Sequence, residues 1–268
     1  MENIETEYYF KIDLAKGLCD RIVGLSEAWS VARSKGSKLN VYEQKNIYCG
    51  LSLLDIFENL DDSIKIHDIN KCQPSASMEL ISTKGLYLHK ESKKLINYLF
   101  QNFLKENIKN VLNFNIPINT FGIHIRAGDQ ILTGEHSSEP SRVAFENQIE
   151  SNKIIDDFLE NEIKNNQSFL NCNSVFICSS SLLFEQYLIK KIDKKIITNE
   201  KKCHKFTKKK GMSTIRGTEE GMIEALIDLV CLSQCINSVS KSTWADGNYE
   251  SRFHDLSRML TIFNKNDI

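Results

Sequence analysis

A histidine and an arginine stand two residues apart where an apolar strand pattern ends. The run Phe121 to Ile125 predicts a buried strand containing His124, and Arg126 and Asp129 follow in a charged turn. The guanidinium group stays protonated and offers a planar fork of donors, so Arg126 suits bidentate binding of phosphate or carboxylate. Open α/β sheets bind ligands at the carboxyl ends of their strands, so we expect an anion site here. Alternatively, His124 and Arg126 pair with nearby carboxylates and only brace the turn.

A glycine opens the first helical pattern of the chain. The free amides that follow Gly17, together with the side chain of Arg21, could face an anion at the helix start. The alternative is an ordinary helix start that is capped by Asp20.

Two hydroxyl-rich segments end other apolar elements. Ser179 and Ser180 follow a strand pattern, and their hydroxyls could bind a base or a ribose. A later strand-to-helix turn carries Ser240, Ser242 and Thr243, whose hydroxyls and amides suit phosphate. Helix N-capping explains the first segment equally well, and capping by Ser242 or Thr243 is the alternative for the second, although it does not exclude anion binding.

Composition narrows the class of protein. The 268 residues are 41% hydrophobic and 26% charged with a formal net charge of −1, which is typical of a globular protein and not of a general nucleic-acid binder. No run approaches the ~20 apolar residues that cross a bilayer, and the first residues are acidic where a secretory signal would be basic, so we expect a cytoplasmic location. The eight cysteines include no CxxC pair, which favours reduced thiols over zinc or disulfides.

Lysines are concentrated between Lys190 and Lys210. Such a block could make a peripheral contact with an anionic membrane face or meet a charged glycan acceptor. A solvated loop explains the same composition.

Hydrophobic periodicity predicts helices around a small sheet in the first part of the chain. The predicted elements are a helix from Gly17 to Gly36, a strand at Leu39 to Tyr42, a helix from Gln44 to Leu60, a weaker strand at Ile64 to His67 and a helix from Lys93 to Val111. Gly36 is placed to end the first helix in a left-handed conformation.

The pattern becomes a regular βαβαβα alternation beyond Pro117, which predicts a parallel sheet with helices on both faces. The predicted elements are strands Phe121 to Ile125, Ser174 to Cys178, Lys195 to Thr198, Ile236 to Val239 and Met259 to Phe263, and helices Val143 to Ile163, Leu182 to Ile192 and Thr218 to Gln234. An Asn-rich, proline-bearing stretch near residues 113–120 marks the change of pattern. We therefore predict two domains, 1–115 and 116–268.

Four segments in this order resemble the fucosyltransferase superfamily, which includes the α-1,6-fucosyltransferases, the bacterial nodulation fucosyltransferases and the protein O-fucosyltransferases. The stretch Gly17 to Glu43 looks like the family's amino-terminal glycine loop, helix and strand. His124-Ile125-Arg126 with Asp129 matches its His-x-Arg signature. Val175 to Ser180 and Asp228 to Ser242 are similar to its second and third motifs.

The resemblance implies a GT-B-like α/β fold, in which two Rossmann-like domains with parallel sheets face each other across a cleft. It further implies an inverting glycosyltransferase with no metal and no other cofactor. Residues 116–268 would hold a GDP-sugar donor, and residues 1–115 would lie on the acceptor side. Charge that builds on the departing diphosphate then needs a fixed cation and amide donors, which Arg126 and the turn from Ser240 to Thr243 would supply.

Inversion also needs a base for the acceptor hydroxyl. The α-1,6 members of the family carry a glutamate in a Gly-Thr-Glu context a few residues beyond the His-x-Arg motif, and Thr133-Gly134-Glu135 occupies that neighbourhood. The resemblance makes Glu135 the candidate base, with His136 as its rival because imidazole titrates nearer neutral pH. His124 would orient Arg126 or touch the phosphate, and Arg216 would be a second phosphate contact or a surface ion pair.

The sequence departs from the family pattern in three places. Ala127 stands where a second basic residue is usual, Ser179 and Ser180 replace frequent aspartates, and Cys19 replaces a common glycine. Recognition of the phosphate and of the nucleotide or sugar is therefore expected to differ from the usual pattern.

The function expected from the sequence is transfer of fucose from GDP-fucose to an oligosaccharide or glycoconjugate acceptor. GDP-mannose or another nucleotide sugar is an alternative donor, and an inactive nucleotide- or glycan-binding protein of the same fold is an alternative class. An enzyme acting on another phosphate ester is a third possibility, against which the sequence contains no P-loop and no metal-ligand cluster.

Overall fold

The computed structural model describes most of the chain. The described residues are 7–12, 17–45, 49–58, 60, 62–81, 90–126, 148–179, 182–199, 218–242 and 251–263. The chain divides into two units, of which unit 1 comprises Met1–Val111 with Arg216–Met222, and unit 2 comprises Leu112–Ile215 with Ile223–Ile268. The separate roles predicted for domains 1–115 and 116–268 stay predictions.

Unit 1 contains a parallel four-stranded sheet. Its strands are β1 (Tyr8–Lys11), β2 (Leu39–Glu43), β3 (Ile64–Asp68) and β4 (Glu79–Leu80), in the spatial order β3-β2-β1-β4. Strands β2 and β3 agree with the prediction from periodicity, whereas β1 and β4 were not predicted. The edge strand β4 has only two residues, which is too short for a periodic signal.

Helix α1 (Leu18–Ser34) covers this sheet on one face, as its periodicity predicts. Leu25 and Ala28 are fully buried, and Gly36 follows the helix with a φ of 67°, in the left-handed region that glycine adopts readily. A Cβ on Gly24 would lie 3.0 Å from Cζ of Phe10 in β1, so the absence of a side chain lets the helix pack tightly.

Three further helices belong to unit 1: α2 (Leu53–Ile56), α3 (Lys90–Asn102) and α4 (Glu106–Leu112), of which only the last residue of α4 falls in unit 2. The predicted helix from Gln44 to Leu60 is wrong, because Ser52 and Asp55 form a capping box that starts a new, short helix. The predicted helix from Lys93 to Val111 is interrupted, since Leu104 forms an antiparallel bridge with Phe57. The first error comes from a local helix start signal, and the second from a tertiary pairing that local periodicity does not contain.

A buried ion pair joins α1 to the end of β2. Arg21 Nη1 lies 3.6 Å from Glu43 Oε2 and donates a 2.8 Å hydrogen bond to the carbonyl of Gln44, and both charged side chains are buried. The amide of Leu54 donates to Glu43 Oε1 at 3.2 Å. Burial raises the pKa of the Glu43 carboxyl to about 7, against the opposing effects of the Leu54 amide and the Arg21 charge. The pair therefore holds the start and the end of the segment that follows β2.

Unit 2 contains a second parallel sheet. Its strands are β5 (Thr120–Arg126), β6 (Ser174–Ser179), β7 (Lys195–Ile197) and β8 (Asn237–Ser242), in the spatial order β7-β6-β5-β8. All four strands were predicted from the sequence, within a few residues of their ends. Its fifth strand, Met259 to Phe263, is wrong, because a helix reaches Met259 and a 3₁₀ turn spans Thr261–Phe263.

The helices of unit 2 also follow the predicted alternation. They are α5 (Gln148–Phe158), continued by a π-helical turn at Leu159–Ile163, then α6 (Gln167–Asn171), α7 (Leu182–Lys191), α8 (Glu219–Ser233) and α9 (Arg252–Met259), with the first residues of α8 belonging to unit 1. Helices α6 and α9 were missed.

Alternate residues of β5 face opposite sides of the sheet. Phe121, Ile123 and Ile125 join a core with residues of α5 and α7. On the opposite face of the sheet, Phe176 and Cys178 of β6 pack against Cys231 and Leu232 of α8 and against Cys235, which follows the helix. Burial raises the pKa values of the Cys231 and Cys235 thiols, so these groups serve packing and not nucleophilic chemistry.

Gly122 is required where α8 approaches β5. A Cβ on this residue would lie 2.6 Å from Leu232 Cδ1, 2.9 Å from Ser238 Cβ and 3.0 Å from Cys235 Sγ. We expect Gly122→Ala to destabilise unit 2 by about 1–3 kcal/mol through overpacking. The measurement is urea unfolding followed by circular dichroism. A Gly122→Ala variant as stable as wild type would contradict the packing argument.

The raised pKa of Glu43 gives the stability of unit 1 a pH dependence. The folded state holds the proton up to about pH 7, whereas the glutamate of the unfolded chain releases it near the ordinary carboxyl pKa of 4.5. Folding therefore takes up protons between these values, and the free energy of unfolding falls as pH rises through this window. In Glu43→Gln this contribution disappears, so the stability of wild type relative to the variant should fall from pH 5 to pH 7.5.

Trp29, buried in α1, can report this change by fluorescence during urea unfolding. The chain has two tryptophans, so the measurement uses a Trp244→Phe background. A difference between wild type and Glu43→Gln that stays constant over this pH range would show that Glu43 is ionised throughout.

Candidate active site

The candidate site lies at the carboxyl ends of two adjacent strands of unit 2. Parallel register pairs His124 with Ser240 and Arg126 with Ser242 across β5 and β8. These residues occupy alternate positions of their strands, so the side chains of His124, Arg126 and Ser240 emerge on the same face of the sheet. Arg126 is partly exposed at the strand end, where a ligand of an α/β sheet is expected.

His124 is held from two directions. Its Nδ1 lies 2.8 Å from Ser240 Oγ, and its ring stacks on Phe253 with centroids 4.8 Å apart and an interplanar angle of 21°. The residue is buried, with 6% of its surface exposed. A buried imidazole with a defined hydrogen bond and a ring contact has a fixed orientation.

Helix α9, which was not predicted from the sequence, supplies the Phe253 ring that stacks on His124. His254, the residue after Phe253 in α9, has its Nε2 atom 3.0 Å from Ser238 Oγ. Leu256 and Leu260 are fully buried and anchor the helix and its end. The spacing of Phe253, Leu256 and Leu260 is helical and was the signal that could have identified α9.

Ser179 stands apart from this cluster. Its register partner is Ile125, so it belongs to the side of the sheet opposite His124. Its backbone amide donates a 2.8 Å hydrogen bond to Oε1 of the buried Glu185 in α7. Glu185 therefore joins the last residue of β6 to α7, and the structure does not bring Ser179 onto the face that carries His124.

The residues of unit 1 that were predicted to bind the donor lie at the start of α1, and one of them is buried in an ion pair. Gly17 is the N-cap of α1 and has an extended backbone, with φ −73° and ψ 173°, while Asp20 lies in the first turn. Arg21 is 1% exposed and paired with Glu43. A donor phosphate would have to compete with that carboxylate for the guanidinium group.

Several predicted site residues lie outside the described residues. These are Asp129, Glu135, His136, Ser180, Arg216 and Thr243, and of Ser242 only the backbone is described.

The lysine-rich segment is described up to residue 199. Lys191 Nζ lies 3.2 Å from Asp156 Oδ1, and Lys194 Nζ donates to the carbonyls of Leu170 and Cys172. These two lysines bind their own chain, whereas Lys190 and Lys195 are exposed. The predicted peripheral membrane contact stays a prediction.

Metal-binding clusters and membrane-spanning helices are both absent from the described residues. These residues include no group of three or more His, Cys, Asp or Glu side chains that could hold a metal ion. No described helix has the length and apolar character needed to cross a membrane.

Solved structures share this fold. The chain is similar to the fucosyltransferase NodZ from Bradyrhizobium, with 15% identity and a TM-score of 0.60, covering 95% of this chain and 92% of that one. The NodZ alpha-1,6-fucosyltransferase co-crystallized with GDP gives a TM-score of 0.61, and the one soaked with GDP-fucose 0.58, each at 15% identity over 95% of this chain and 93% of theirs. No family model and no curated protein matches the sequence. The chain thus has the α/β, GT-B-like fold of these fucosyltransferases, which confirms the predicted fold class.

Proposed function

We propose that this protein is an inverting, metal-independent glycosyltransferase that transfers fucose from GDP-fucose to an oligosaccharide or glycoconjugate acceptor. The observation that carries the proposal is the cluster of His124, Arg126 and Ser240 on one face of unit 2, at the carboxyl end of its sheet. Solved structures of the same fold have been obtained with GDP and with GDP-fucose. The cluster has the charge and the donors that a diphosphate needs.

Arg126 would neutralise the departing diphosphate. Cleavage of the bond between the fucose anomeric carbon and the β-phosphate oxygen leaves negative charge on GDP, and a fixed guanidinium group stabilises that charge by charge-assisted hydrogen bonds. Since this cation is part of the chain, the step requires no bound ion. His124 and the backbone amides of the turn from Ser240 to Thr243 would add further donors to the phosphate oxygens.

The acceptor hydroxyl attacks the anomeric carbon from the side opposite the diphosphate. Its oxygen forms the new glycosidic bond, the bond to the phosphate oxygen breaks with both electrons remaining on GDP, and the hydroxyl proton passes to a base. We assign this base to Glu135, with His136 as the alternative. Asp129 and Ser180 would complete the donor contacts within unit 2. The donor contacts predicted for Gly17, Ser179 and Arg216 stay sequence-based predictions.

The first test is nucleotide binding by Arg126→Ala. Removing a charged hydrogen-bonding group costs about 1.5–3 kcal/mol, so the affinity for GDP measured by calorimetry should fall roughly 10- to 100-fold. Arg33→Ala is the matched control, because Arg33 is an exposed arginine of α1. In wild type, a thermal-shift panel should show greater stabilisation by GDP than by UDP, ADP or CDP at equal concentration, since binding to the native state raises the melting temperature. Undiminished GDP affinity in Arg126→Ala would refute this phosphate site.

The second test separates an enzyme from a binding protein. Wild type should release GDP from GDP-fucose in the presence of an oligosaccharide acceptor, whereas Glu135→Gln should bind GDP normally and lose activity about 10²- to 10⁴-fold, as expected for removal of a general base. His136→Gln serves as the paired variant, and loss of activity there instead would move the base to His136. Binding of GDP by wild type with no turnover on any acceptor would favour the inactive binding protein.

A further inference from the structure

Residues of two other elements contact the imidazole of His124. Ser240 Oγ lies 2.8 Å from Nδ1, and the Phe253 ring stacks on the imidazole at 4.8 Å. The serine comes from β8 and the phenylalanine from α9, so two separate elements fix one ring.

The hydrogen bond to Ser240 determines which ring nitrogen of neutral His124 carries the proton, and therefore whether the other nitrogen can donate to a phosphate. A neutral imidazole carries one proton, and the bond made by one ring nitrogen selects the nitrogen that holds it. A serine hydroxyl rotates freely and can donate or accept. Phosphate oxygens at neutral pH mainly accept, so a nitrogen that binds phosphate must carry hydrogen. That condition is met by neutral His124 only when Ser240 donates to Nδ1 and the proton lies on Nε2.

Phe253 limits the rotation of the same ring. The interplanar angle of 21° brings the two rings nearly parallel, and a flip of the imidazole about its second side-chain dihedral would exchange Nδ1 for a carbon opposite Ser240. Helix α9 is itself fixed by the buried Leu256 and by the 3.0 Å contact between His254 and Ser238. The aromatic ring is therefore held by a packed helix and not by a loop.

We propose that Ser240 and Phe253 are positioning residues that hold His124 in one orientation and, when neutral, as the tautomer protonated on Nε2. This form presents a donor to an oxygen of a diphosphate, and in that respect the inference rests on the proposed function. Ser240 thus acts on the ligand through His124.

The tautomer can be measured in the free protein. Nitrogen NMR of protein labelled with ¹⁵N-histidine distinguishes protonated from unprotonated ring nitrogens, and His124→Gln assigns the signals. At pH about 8.5, roughly two units above the ordinary imidazole pKa, we expect Nε2 protonated and Nδ1 unprotonated in wild type. Ser240→Ala should give a mixture of both tautomers, and Phe253→Leu should broaden the signals through ring motion. A proton on Nδ1 in wild type, or unchanged signals in Ser240→Ala, overturns the proposal.

Ser238→Ala is the matched control. Ser238 lies on the same strand two residues before Ser240, and its hydroxyl contacts His254. Its removal should change the His254 signals and leave the His124 tautomer as in wild type. An equal effect of both serine variants on His124 would show a general loosening of β8 and would count against a specific role for Ser240.

A double-mutant cycle tests whether Ser240 acts through His124. Loss of one neutral hydrogen bond should weaken GDP binding about 3- to 10-fold in Ser240→Ala. The same substitution in a His124→Ala background should have no further effect. A persisting loss would mean that Ser240 binds the ligand directly and would overturn the positioning role. If wild type does not bind GDP, the proposed function fails, while the tautomer measurement still decides the proposal about His124.

Discussion

The parallel register between β5 and β8 is the constraint on which the candidate site depends. It pairs His124 with Ser240 and Arg126 with Ser242, so that side chains separated by more than a hundred residues of sequence meet on one face of a sheet. A shift by one residue would turn the histidine into the apolar core on the other side, where Ile123 and Ile125 pack. The burial of Ile123 and Ile125 therefore fixes the face of the sheet on which His124 and Arg126 lie.

This register in turn needs a close approach of α8 to the sheet. Gly122 leaves the room that Leu232 and Cys235 occupy, and the helix packs on the same face that carries His124. Helix α9 adds Phe253 to that packing. The chemistry of the site and the stability of unit 2 thus use the same face, with Leu232 and Cys235 packed at Gly122 and the polar residues His124 and Arg126 nearer the end of the strand.

In unit 1, a buried ion pair fixes the end of β2. Arg21 and Glu43 are buried together, and the carbonyl of Gln44 and the amide of Leu54 each add one hydrogen bond to the pair. The cost of burying the carboxylate appears in its raised pKa. A group predicted from sequence to bind an anion is thereby committed to a carboxylate of its own chain.

The sequence by itself determined the α/β class, the four strands of unit 2 and the position of Arg126 at a strand end, because hydrophobic periodicity is a local property that side-chain burial enforces. Tertiary structure decided the strand order, the break between α3 and α4 at Leu104, and the cluster of Ser240 and Phe253 around His124. These features arise from pairings between distant parts of the chain. Periodicity shows which face of an element is apolar, but it carries no information about which other element will cover that face.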